Sequence, residues 1–98
     1  MTETLFHYDA ELAILNIILK NPELIYNVPN LKVYMFSSSP HALIFSTMLE
    51  LMESKLLPDY NLIKNKLSSD GKLPLVGGEQ NLQYLLTLDN KTENLVFF

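Results

Sequence analysis

The sequence predicts an all-α fold, a compact bundle of about five to six helices joined by short loops. Three observations carry this. Apolar residues recur at three- and four-residue intervals through most of the chain. Each such run is opened or closed by helix punctuation. The one stretch with strand propensity, residues 31–35 with Val33 and Tyr34, has no second strand to pair with and reads as an extended connector or a short turn. Ninety-eight residues make one domain, and a chain that is 48% hydrophobic and 18% charged is globular. It divides into an N-terminal arm (1–8), a helical core (9–90), and a last segment (91–98) that starts a truncated or partner-covered helix.

The first helix is expected over residues 9–20. Leu12, Leu15 and Leu19 share one face, and Ile14, Ile17 and Ile18 widen it, which suits a central helix buried on most sides. Asn21-Pro22 stops it, and Pro22 opens a short helix to about Asn27. The next helix, from Pro40 to about Lys55, has the most distinctive start. Ser39 is its expected N-cap, Pro40 its first residue, and Ile44, Phe45, Met48 and Leu51 its inward face. After the loop at 56–58, Asp59 caps a helix carrying Ile63 and Leu67, and Gly71 is placed to close it in the left-handed conformation. Residues 73–78 connect to a last helix from about Glu79 to Asp89, with Leu82, Tyr84 and Leu85 assigned to the core. Most of the tyrosines and phenylalanines are expected inside.

Composition excludes several functions. The net charge is −4, and all seven basic residues are lysines. Without arginine's bidentate fork or a basic surface, direct tight nucleic-acid binding is not expected. Residues 51–75 lean basic, but this reads as a solvated face. No apolar run nears the ~18 residues of a membrane span. The N-terminus lacks a signal peptide's basic start, and there is no cysteine, so a cytoplasmic protein is expected.

The chain offers no chemistry of its own. With two histidines and no cysteine, a metal site would need carboxylates at helical spacing, and Glu50 and Glu53 have no histidine on their turn. Ser46, His41 and Glu50 match no nucleophile elbow. No Gly-Lys-Ser/Thr triplet exists, and Gly77-Gly78 before Glu79 reads as a tight turn, not an anion site. No catalytic residue, cofactor or metal is expected. His41 is read as a local capping or packing residue, with a partner contact as its functional alternative. Leu95, Val96, Phe97 and Phe98, four large apolar residues in a row, are candidate partner-contact residues.

The ordered motifs resemble the N-terminal domain of DnaB-type replicative DNA helicases. Glu11, Ala13, Leu15 and Leu19 fit its opening helix, with Asn16 in place of a glycine. Asn21-Pro22-Glu23-Leu24 stands for Asp-Pro-Glu-Leu. Phe36, His41, Ile44 and Phe45 fit Phe-Tyr-x-x-x-His-Arg-x-Ile-Phe, with Ser37 for the tyrosine and Ala42 for the arginine. Asp59, Gly71, Val76-Gly77-Gly78 and Tyr84-Leu85 come next, in order. The resemblance spans residues 9–90, with three extra residues after Gly78.

It implies a non-catalytic collar domain of the primosome that helps form the helicase hexamer and contacts primase or a helicase loader. ATP binding and hydrolysis would then belong to a separate RecA-like domain of an ATP-dependent DNA helicase. The family associates through a helical hairpin that would begin near Asn94, so the chain is expected as a monomer or weak dimer. The alternative is a free-standing phage or plasmid regulator, a helicase inhibitor or loader-like adaptor that mimics this domain.

Overall fold

The computed structural model describes residues 8–89, and among these there are helices and no strand. Four are α-helices: α1 (Tyr8–Lys20), α2 (Ser39–Glu53), α3 (Tyr60–Ser69) and α4 (Gly78–Thr87). Three short 3-10 helices, Pro22–Asn27, Val33–Met35 and Leu73–Val76, carry the chain between them. The all-α prediction holds.

α1 is the central element. Ile14, Leu15, Ile17, Ile18 and Leu19 are all buried, together with the polar Glu11 and Asn16, so nearly the whole circumference past the first turn is covered. Leu12 is half-buried and packs against the same core. α1 contacts α2, α4 and the first 3-10 helix, whose Ile25 returns to the interior together with Val28 and Leu31 just after it. The stretch read as connector or turn is a single 3-10 turn, closed by Phe36 N–H donating to the Val33 carbonyl at 3.1 Å. Phe36 then enters the core beside Phe45, with ring centroids 5.1 Å apart.

Ile44, Phe45, Met48 and Leu51 of α2, Ile63 and Leu67 of α3, and Leu82 and Leu85 of α4 complete the interior, as their spacing predicts. The start of α2 differs by one residue. Ser38, not Ser39, is the N-cap, and its Oγ accepts from His41 N–H. Asp59 caps α3 as expected, its Oδ1 accepting from Leu62 N–H at 2.8 Å.

α2 and α3 both close by the same backbone device, in which the two residues after the cap donate to carbonyls of the last turn. In α3 these are Gly71 to Ser68 and Lys72 to Leu67, with Gly71 at φ +71°, as the sequence suggested. In α2 they are Lys55 to Met52 and Leu56 to Leu51, so Lys55 takes the left-handed position at φ +64° without glycine's freedom. Gly77 needs to be glycine twice over: its φ is +91°, and an added Cβ would lie 2.9 Å from Asn81 Cβ.

Tyr84 corrects the predicted core. It is 52% exposed, because it lies 100° from Leu85 and 200° from Leu82 around α4, on the outer face. Tyr8, Tyr26 and Tyr34 are exposed too, so the tyrosines are mostly a surface feature; their hydroxyls favour water unless a buried partner is supplied.

Candidate functional site

Ser46, His41 and Glu50, which match no nucleophile elbow in the sequence, are not brought together: Glu50 pairs with Lys66 at 3.6 Å, and His41 faces α1. Among the described residues no group of His, Cys, Asp or Glu is placed to hold a metal ion. No helix among them is long and apolar enough to cross a membrane. Leu95, Val96, Phe97 and Phe98 lie outside the described residues.

The most concentrated polar arrangement is a buried carboxylate at the start of α2. Glu11 is fully buried, one turn before Leu15 and two before Ile18 on α1. Its Oε2 accepts from Ser37 N–H and Ser37 Oγ–H, each at 2.7 Å. Its Oε1 accepts from Ser38 N–H at 3.2 Å and lies 2.9 Å from His41 Nδ1. A carboxylate only accepts, so Nδ1 carries the hydrogen.

The arrangement is a capping box assembled from two helices. Ordinarily the N-cap hydroxyl accepts from the third helical N–H while a Glu at that third position reaches back to the N-cap N–H. Here Ser38 does the first, but the third residue is His41, and Glu11 of α1 supplies the carboxylate. The same negative charge complements the positive end of the α2 dipole. Burial alone would push the Glu11 carboxyl up. The bonds from Ser37, His41 and Ser38 outweigh that and hold it below its ordinary value of 4.5.

The structure places His41 inside the fold. It is 1% exposed, held by Glu11 on one side, with the Tyr8 ring centroid 4.7 Å from its own. It orders two helices against each other and presents nothing outward.

A second polar set lies further along α1. Asn16, fully buried, donates from Nδ2 to the Leu85 carbonyl at 2.6 Å and reaches the Leu86 carbonyl at 3.5 Å. One turn on, Lys20 donates from Nζ to the Leu88 carbonyl at 3.3 Å and lies 3.6 Å from the Asp89 carboxylate. The sequence reading has Asn16 only as the replacement for a motif glycine, and Glu11 only as a motif letter. The available signal was the same for both: a polar residue at i, i+4, i+7 spacing within an apolar face needs a buried partner.

The sequence matches the family model for the DnaB-like helicase N terminal domain over residues 3–97. The chain belongs to that family. No curated protein and no solved structure matches it. Within this DnaB-like domain, two motifs that are far apart in sequence meet in space: the opening-helix glutamate, Glu11, and the histidine after Phe36, His41, are bonded to each other. Ser37, where the resemblance has a tyrosine, contributes both its N–H and its hydroxyl to the same carboxylate. The family connects this DnaB-like domain with replicative-helicase assembly and with protein interactions in general.

Proposed function

We propose that this domain is a non-catalytic assembly module of a replicative DNA helicase, part of the N-terminal collar of the hexamer and a contact for primase or a helicase loader. The family match across residues 3–97 carries the reading. The polar interior supports it, since Glu11, Asn16 and His41 are spent on joining helices. On this reading ATP hydrolysis and movement on DNA belong to a RecA-like domain of the same helicase, and the domain works in the cytoplasm.

Leu95, Val96, Phe97 and Phe98 are the residues we assign to partner contact. The test is calorimetric titration of the domain with the primase and the loader of its own source, alongside a Leu95→Ser/Phe98→Ser variant. Binding by the parent sequence, weakened at least tenfold in the variant, is the expected result. Absence of binding to both proteins at tens of micromolar would overturn the assignment. Light scattering over a concentration series is expected to give monomer or weak dimer. A stable hexamer of the isolated domain would contradict that expectation.

A further inference from the structure

The end of α4 is closed differently from the ends of α2 and α3. A helix leaves its last four carbonyls without intrahelical donors, and they must be met by something else. In α2 and α3 the chain meets them itself, through backbone N–H groups just past the cap. In α4 the Tyr84 carbonyl is met within the helix, by the Thr87 hydroxyl at 2.8 Å, and among the described residues the donors to the carbonyls beyond it come from another helix. Asn16 Nδ2 takes the Leu85 carbonyl at 2.6 Å, and Lys20 Nζ takes the Leu88 carbonyl at 3.3 Å. Leu88 itself has already turned to extended backbone, φ −64° and ψ 155°.

We propose that Asn16 and Lys20, one turn apart on α1, form a clamp that fixes the direction in which the chain leaves α4. Leu88 and Asp89 then leave α4 at a set angle to the bundle.

Three features make this a positioning device and not only a cap. The two donors sit on the central helix, whose own place is fixed by the core. They grip carbonyls three residues apart, spanning the point where α4 ends and extended backbone begins, so they constrain a direction and not just a position. The inner grip is fully buried, whereas the outer one is solvent-accessible, with the Lys20 side chain 39% exposed, and so can be removed without disturbing the core. The positive charge of Lys20 also opposes the negative end of the α4 dipole, which holds the outer grip closed.

The chain has no cysteine, so two can be introduced as spin-label sites. Ser69→Cys at the exposed end of α3 and Asp89→Cys, beside the clamped Leu88 carbonyl, report the exit direction as a distance distribution by pulsed electron resonance. The parent background is expected to give one narrow distribution. Lys20→Met should widen it measurably, and Asn16→Ala with Lys20→Met at least twofold, with the far-ultraviolet helical signal retained. Glu11→Gln, which loosens the bundle at the α2 end, should leave the width unchanged.

A broad distribution in the parent, an unchanged width in the folded double variant, or equal broadening by Glu11→Gln would each overturn the clamp. Should Asn16→Ala fail to fold, Lys20→Met alone decides, an unchanged width overturning the proposal. The clamp stands on the bundle's own bonds. Its failure would leave the helicase-assembly reading untouched, and loss of primase or loader binding would leave the clamp untouched.

Discussion

Replacing Glu11 with glutamine keeps the shape of the buried side chain and removes one charge and one acceptor. The two backbone N–H groups at the start of α2 are met by different oxygens, Ser37 by Oε2 and Ser38 by Oε1. A glutamine amide has one oxygen, so in either orientation one of these N–H groups faces an NH2. The less costly orientation keeps the 2.7 Å bond to Ser37 and orphans Ser38, whose bond is the longer at 3.2 Å. His41 can then accept from the amide by moving its hydrogen to the other ring nitrogen.

The orphaned N–H costs about 1–3 kcal/mol, and loss of charge assistance in the remaining bonds adds about 1 kcal/mol. The expected loss is therefore about 2–4 kcal/mol, a large share of the ~5–15 kcal/mol such a domain has. The matching fall in melting temperature is on the order of 10–20 °C. Urea unfolding followed by circular dichroism at pH 7 measures it, and a loss under about 1 kcal/mol would refute the two-helix capping argument.

Acid supplies a second check. The Glu11 carboxyl is lower in the folded state than its ordinary 4.5, so its contribution is complete above that value and fades as pH falls through the folded one. The gap between parent and Glu11→Gln should be flat near neutrality and close below pH 4.5.

Gly77 and Gly71 both sit at positive φ, but only Gly77 lacks room for a Cβ. Gly71→Ala should cost about 1 kcal/mol and Gly77→Ala about 2–3 kcal/mol, because Asn81 must also give up part of its 2.7 Å bond to the Val76 carbonyl; chemical denaturation of the two variants separates them. Ser38→Ala should lower stability by about 0.5–1 kcal/mol and Ser39→Ala by less than about 0.5 kcal/mol, the reverse of the order the bare sequence suggests. Lys55→Gly should raise stability by up to about 1 kcal/mol, read as a higher melting temperature, since a lysine now holds the left-handed closing position of α2.

The helices and most of the core were legible because each rests on local spacing. Ile44, Phe45, Met48 and Leu51 need only a period of 3.6 to be placed, and Asp59 and Gly71 act within one turn of themselves. The serine cap was missed by one residue for a physical reason. Three serines in a row can each cap a helix, and the choice is made by Glu11, which fastens the N–H groups of Ser37 and Ser38. Glu11 and His41 are 30 residues apart, and no local rule pairs them. The sequence reads His41 as a local capping or packing residue, with partner contact as the alternative, but gives no sign of its carboxylate partner on α1. Tyr84 was assigned inward beside Leu85, although its angle around α4 points away from both Leu82 and Leu85. Lys55 carries no sign of its left-handed backbone, which is dictated by where Leu56 must return to reach the Leu51 carbonyl.

α1 meets the rest of the bundle at both its ends, through Glu11 to the beginning of α2 and through Asn16 and Lys20 to the end of α4. Neither helix terminus is fully satisfied until α1 is docked, and Glu11 and Asn16 are not both fully met until the two termini have arrived. The consequence is kinetic as well as structural. Partly folded states containing only the first or only the last helices carry an orphaned polar group in an apolar setting, so the population between folded and unfolded should be sparse. In native-state hydrogen exchange, the buried amides of α1, α2 and α4 should then open together in one global event.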